Sequence, residues 1–272
     1  MPTFTTSTHT YRYRVAGNGP PLLLLHGFTG SSNNWAGLMD ALGSEYTLIA
    51  LDLPGHGRTM DRDPLPDEAY TMPAVARDIA ALLEHLGLAS VHLLGYSMGG
   101  RLALYLALKH PERWSTLILE SASPGLRDAQ AREERVAQDE ALAQFIEREG
   151  MRAFVDRWEA LPLFASQQQL PDEVCRAHRA GRLRNRPAGL ARSLRRMGTG
   201  VQPSLWEQLP RLTLPTLLIA GDLDHKFVGI AHEMAALMPQ AELAILPHAG
   251  HTVHLEQPEA YAQRLRRWLA NT

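Results

Sequence analysis

Three residues far apart in the chain have the chemistry of a proton relay. They are the serine in Gly95-Tyr96-Ser97-Met98-Gly99, the histidine in Ala249-Gly250-His251 and an aspartate in Gly221-Asp222-Leu223-Asp224. A hydroxyl is a weak nucleophile or base until an imidazole takes its proton. The imidazole in turn needs a carboxylate to fix its tautomer and stabilise its cation. Glycines flanking Ser97 fit a serine held on a strained turn between a strand and a helix, where side chains would strike neighbouring backbone. The helix that starts behind Ser97 aims its N-terminal N–H groups and dipole at the site, which favours developing negative charge. His26-Gly27-Phe28 follows another apolar run, so the N–H of Phe28 together with that of Met98 is expected to form an oxyanion hole. His26 itself and the glycine-rich 52–57 loop read as scaffold.

Twelve histidines require a choice. His251 follows the strand-like run 242–246 and precedes a helix starting at Pro258, which puts it at the same sheet edge as Ser97. The spacing of His248, His251 and His254 suggests metal binding, but no carboxylate ligand pattern or zinc motif accompanies it. No metal or cofactor is expected, and His254 reads as a packing residue. Among the acids, Asp224 reaches further over the sheet edge than Asp222, which reads as a loop brace. Glu120, at the end of the run 116–119, is the rival.

These residues need a scaffold, and the pattern supplies one. Apolar runs at 22–25, 47–51, 91–94, 116–119, 216–220 and 242–246 read as strands buried on both faces, and 11–15 as an antiparallel edge strand. Helices are predicted over 71–86, stopped by Gly87, and over 98–109, ended by Pro111. Such βαβ alternation implies an α/β fold with a mainly parallel sheet and helices on both faces. Residues 127–206 break the rhythm with amphipathic helical stretches and no good strand. They read as an inserted helical lid, with 1–126 and 207–272 forming the core. Fourteen of the 25 arginines lie between Arg127 and Arg196, and neither lysine does.

The bulk properties narrow the function. A chain of 272 residues, 45% hydrophobic, suits one large α/β domain, and a net charge of −2 gives no case for nucleic acid or an acidic membrane surface. Cys175 is the single cysteine, which excludes an intramolecular disulfide and a cysteine zinc cage. Residues 1–8 lack the features of a signal peptide, and the run 22–25 is far too short to span a bilayer. A reduced, soluble, cytoplasmic protein without membrane insertion is expected.

The nucleophile and histidine motifs resemble the α/β-hydrolase fold. A narrower resemblance covers most of the chain, including the lid. Gly95-Tyr96-Ser97-Met98-Gly99-Gly100-Arg101, L-H-G-F-T-G-S at 25–31, E-S-A-S-P-G-L at 120–126, L-P-L-F-A-S at 161–166, M-G-T-G-V-Q-P-S at 197–204 and Asp224-His225-Lys226-Phe227 are similar to 2-succinyl-6-hydroxy-2,4-cyclohexadiene-1-carboxylate (SHCHC) synthases of menaquinone biosynthesis. The resemblance implies a lyase that eliminates pyruvate from 2-succinyl-5-enolpyruvyl-6-hydroxy-3-cyclohexene-1-carboxylate, with the serine abstracting a ring proton. That substrate is a small tricarboxylate, and guanidinium forks grip carboxylates bidentately. The resemblance assigns substrate binding to Tyr96, Arg101, Arg135, Trp158 and Arg184. Arg179, Arg182 and Arg186 crowd the last position, where the spacing departs from the family's. The alternatives are an ester or C–C bond hydrolase using the same triad, and a binding module of the same fold, which would have no need of an intact triad.

Overall fold

The computed structural model describes residues 1–272, except for the side chain of Asp67. Nine strands form one sheet: β1 (Thr3–Thr5), β2 (His9–Ala16), β3 (Pro21–Leu25), β4 (Thr47–Leu51), β5 (Met60–Asp61), β6 (Val91–Tyr96), β7 (Trp114–Glu120), β8 (Thr216–Gly221) and β9 (Ala241–Leu246). Their order is β1-β2-β4-β3-β6-β7-β8-β9, with β5 also pairing β2. From β4 to β9 every pairing is parallel, and β2 joins antiparallel to β4. The predicted antiparallel strand is thus present, but it is not outermost. The short β1 and β5, which carry too few residues to show a period, pair along its outer side.

The helices are α1 (Ala36–Leu42), α2 (Met72–His85), α3 (Met98–Lys109), α4 (Ala129–Glu159), α5 (Asp172–Leu183), α6 (Pro187–Met197), α7 (His225–Leu237), α8 (Val253–Glu256) and α9 (Pro258–Leu269). The Leu22–Leu25 run shows why the core strands read as continuous apolar stretches. Leu23 and Leu25 pack with α2, α3 and α7, while Leu22 and Leu24 pack on the opposite face with α1 and α9. Alternate residues point to opposite sides of a strand, so a strand covered on both sides must be apolar at each position.

Helices α4, α5 and α6 lie between β7 and β8 in the chain. Ala143, Ile146, Phe154 and Val155 of α4 form a small core of their own with Leu190, Ala191 and Leu194 of α6. Asp128 starts α4 by accepting the N–H of Ala131 at 2.8 Å. Gly150, at φ 76°, ψ 178°, breaks α4 into two segments, because only glycine takes that backbone conformation without strain. Among the described residues, no helix is long and apolar enough to cross a membrane.

Candidate active site

The parallel strands end on one edge, and the loops leaving that edge carry the relay. β6 is flanked by β3 and β7, with Gly95 beside both Leu25 and Leu119. The turn after β6 is so tight that a side chain at Gly95 would strike the Gly99 carbonyl, and one at Gly99 the carbonyls of Leu25 and His26. Ser97 pays for this geometry with φ 51°, ψ −109°, a left-handed conformation that L side chains rarely adopt. Its N–H is tied to the Glu120 carbonyl at 2.9 Å, which locks the turn to the end of β7.

On the other side, β8 and β9 are in register to Gly221 and Leu246. The loops beyond them are stitched by Asp222 N–H to Leu246 C=O and by Leu223 N–H to Ala249 C=O, each 3.0 Å. The Asp222 carboxylate accepts the Ala249 N–H at 3.3 Å and so braces the loop. This delivers Asp224 to His251. The Nδ1 of His251 lies 2.7 Å from Asp224 Oδ2, and Nε2 lies 3.0 Å from Ser97 Oγ. A carboxylate can only accept, so Nδ1 carries the proton and Nε2 is the acceptor for the serine hydroxyl. Glu256 brackets the histidine, accepting the N–H groups of Gly250 (2.6 Å) and Thr252 (3.1 Å), and the Phe227 ring lies 4.6 Å from the imidazole.

Glu120 has a different partner. It is fully buried and receives both the N–H (3.1 Å) and Nδ1 (2.8 Å) of His254. His254, expected as a packing residue, is therefore a polar anchor between β7 and α8, although its ring also packs 4.5 Å from Trp35. His26 is scaffold as expected: its Nε2 accepts the Leu53 N–H at 3.0 Å, and burial pushes it down to about 4, so it stays neutral. Among the described residues no group of three potential ligands is placed to hold a metal ion.

Met98 is the first residue of α3, where an N–H has no acceptor within the helix, and Phe28 sits in the loop after β3 beside Gly27, which packs against Tyr96 and Ser97. Phe28 also meets Trp158 at 5.4 Å, so the second segment of α4 covers this loop. Trp158 continues to Phe164 (5.7 Å) and Phe164 to His251 (6.2 Å), an aromatic chain running from the Phe28 loop to the histidine. The Trp158 indole N–H is buried without an acceptor. The Tyr96 hydroxyl shares a hydrogen with Thr252 (2.8 Å), which also accepts from Gln167 (2.9 Å).

The arginines divide. Arg101, buried one turn into α3, donates through Nη1 to the Met197 carbonyl (3.0 Å) and to Gln202 (2.9 Å). Burial, reinforced by repulsion from Arg135 and opposed by Asp139, lowers it to about 10, still a cation at neutral pH. Arg101 and Arg135, 34 residues apart in sequence, are joined through the end of α6: Met197 gives its carbonyl to Arg101, and Gly198 packs on Asp139, which holds Arg135 at 2.8 Å. Arg184 is not brought to this region. It is exposed and lines a surface depression of about 360 Å³ with Met1, Ser31, Asn33, Asp52, Gly57, Arg58 and Gly181. The inward arginine is Arg182, 4% exposed, 5.1 Å above the Phe164 ring and bonded to Glu159 (2.8 Å) and Gln167 (3.5 Å). The signal was present in α5: Cys175, His178 and Arg182 recur at helical spacing on one face, whereas Arg184 lies beyond the helix end.

Comparison with known proteins agrees with this geometry. The sequence pattern of the alpha/beta hydrolase fold family matches residues 20–258. A Bacillus subtilis protein assigned as a 2-succinyl-6-hydroxy-2,4-cyclohexadiene-1-carboxylate synthase is 44% identical over 96% of this chain and 95% of its own length. The synthase of that name from Serratia proteamaculans is 34% identical over 93% of this chain and 94% of its own. The solved structure of MenH from S. aureus superposes with a TM-score of 0.90 at 36% identity, covering 96% of this chain and 98% of that one. Within the α/β-hydrolase fold, the chain belongs to the family of 2-succinyl-6-hydroxy-2,4-cyclohexadiene-1-carboxylate synthases.

Proposed function

We propose that this enzyme is a carbon–oxygen lyase that eliminates pyruvate from 2-succinyl-5-enolpyruvyl-6-hydroxy-3-cyclohexene-1-carboxylate to give SHCHC, with residues 127–206 acting as a lid over the site. His251 Nε2 takes the Ser97 proton, and the serine oxygen removes a ring proton from the substrate. The electron pair released at C2 forms the C2–C3 double bond, the existing C3–C4 double bond moves to C4–C5, and the C5–O bond to the enolpyruvyl group breaks. The leaving enolpyruvate takes the proton held by the His251 imidazolium and becomes pyruvate, which returns His251 to its neutral form. Asp224 stabilises the imidazolium during the transfer. The N–H groups of Phe28 and Met98 receive the charge that spreads onto the succinyl ketone. Tyr96 and Trp158 line the pocket.

The observation that carries a lyase over a hydrolase is the buried Arg101, whose hydrogen bonds go to the neutral acceptors Met197 and Gln202, joined across the end of α6 to the Arg135–Asp139 pair. Two guanidiniums and the single carboxylate of Asp139 leave one positive charge in this group, which a substrate carboxylate neutralises. A neutral ester offers nothing in return for the desolvation of these cations. We assign the third carboxylate contact to Arg182 rather than Arg184. The test is a paired assay of pyruvate release and of neutral aryl ester cleavage on wild type, Ser97→Ala, Arg101→Ala and Arg135→Ala. Loss of both activities in Ser97→Ala is expected, with each arginine variant losing about 2–5 kcal/mol in pyruvate release only. Equal losses in both assays from the arginine variants would return the site to an ester hydrolase.

A further inference from the structure

Asp139 is an unexpected group at an anion-binding site. It is 4% exposed and has one oxygen, Oδ1, on Arg135 Nε at 2.8 Å, while Oδ2 is buried with no hydrogen-bond partner. A carboxylate serving only to hold the fold would be expected to satisfy both oxygens. Its neighbours tie it to Arg101 as well. Met197, the last residue of α6, gives its carbonyl to Arg101, and the next residue, Gly198, packs so closely on Asp139 that a side chain there would strike the carboxylate. The end of α6 thus links Arg101 to the Arg135–Asp139 pair.

We propose that Asp139 is a positioning residue that aims the Arg135 guanidinium at a carboxylate of the substrate and offsets its repulsion of Arg101. Asp139 lies one helical turn after Arg135 in α4, where side chains four apart meet. It engages Nε alone. A guanidinium gripped by Nε keeps both terminal nitrogens for a bidentate partner, and its plane is set by the grip. Without Asp139, the half-exposed Arg135 swings away from Arg101 toward solvent, and each substrate must draw it back. Substrate binding then weakens more than the chemical step, because the triad is untouched. The inference rests on the reading of Arg101 and Arg135 as carboxylate ligands.

The experiment measures KM and kcat for pyruvate release from the enolpyruvyl substrate in Asp139→Asn, Arg135→Ala and the double variant. Asp139→Asn raises KM about tenfold while kcat falls by less than about threefold, a size tempered by the partial exposure of Arg135. The double variant is no worse than Arg135→Ala alone, because Asp139 acts through that arginine. A folded Asp139→Asn enzyme with wild-type KM, beside an Arg135→Ala enzyme with a raised one, overturns the positioning role and leaves the carboxylate reading standing. Additive losses in the double variant overturn it too. If Arg135→Ala and Arg101→Ala both keep the wild-type KM, the carboxylate reading itself fails and takes the proposal with it. Should Asp139→Asn not fold, the wild-type protein decides by NMR. An Arg135 Nε–H resonance, assigned by its loss in Arg135→Lys, exchanges slowly with water if the grip exists in solution, and rapid exchange refutes it.

Discussion

Replacing Asp224 with asparagine separates the relay from the fold. The Asp224–His251 contact is 2.7 Å between two nearly buried side chains, so little solvent shares the charge that forms on the imidazole. An amide at position 224 can turn its NH2 toward Nδ1, which forces the ring proton onto Nε2 and removes the acceptor for Ser97. In a serine-protease triad the same change costs about 10⁴-fold in kcat, and a loss of about 10³–10⁴-fold, or ~4–5.5 kcal/mol, is expected here. Stability should hardly move. Asp224 also caps α7 through a long contact to the Phe227 N–H (3.4 Å), and asparagine caps a helix as well as aspartate does. Glu120→Gln is the mirror experiment. It weakens a fully buried pair with His254, so it is expected to lower stability by about 1–3 kcal/mol with a far smaller effect on turnover. Saturating pyruvate-release rates and urea unfolding of both variants give the answer. A greater kcat loss in Glu120→Gln than in Asp224→Asn would make the observed hydrogen-bond chain the wrong relay.

Two further outcomes follow from side chains already placed. Arg182→Ala should raise KM for the enolpyruvyl substrate at least about tenfold, whereas Arg184→Ala, at an exposed position, should stay within about twofold of wild type; steady-state kinetics of the pair checks this, and the opposite ranking would favour the assignment read from the sequence. Burial lowers His26 to about 4 and His56 to about 3, against about 6.5 in the unfolded chain. Both are depressed, so the unfolded state takes up protons first: their contribution is complete above about pH 6.5 and is lost as pH falls toward 4 and 3. Urea midpoints should therefore drop steadily between pH 7 and 5, and the slope should be shallower in His56→Asn, which removes one such group while His26, His92 and His178, also lowered by burial, remain; an unchanged slope in a folded variant would count against a buried neutral His56.

The sheet was legible because its strands are covered on both faces, so an unbroken run such as Leu22–Leu25 has only one comfortable place in an α/β protein. The relay was legible for a related reason: each member sits a few residues past the end of a strand, and parallel strands gather such positions on one edge. Other features depend on contacts that no local pattern records. The partnership of Glu120 with His254 spans 134 residues. In the sequence Asp139 is one more charge on a polar helix, and its burial beneath Gly198 is a tertiary contact. Motif spacing points to Arg184, whereas helical phase puts Arg182 on the buried face of α5.

The break at Gly150 has consequences beyond the path of the chain. The segment of α4 before it carries Arg135 and Asp139, and the segment after it carries Phe154, Trp158 and Glu159. No atom lies near enough to crowd a side chain at Gly150, so the bend is set by the backbone conformation there and not by a contact at the joint itself. Both segments still pack on one core with Leu190, Ala191 and Leu194 of α6, so the joint sets the angle between the charged end and the aromatic end while α6 holds them together. A scaffold jointed in this way gives evolution, or a designer, a means of fitting new molecular shapes without rebuilding the machinery beneath them.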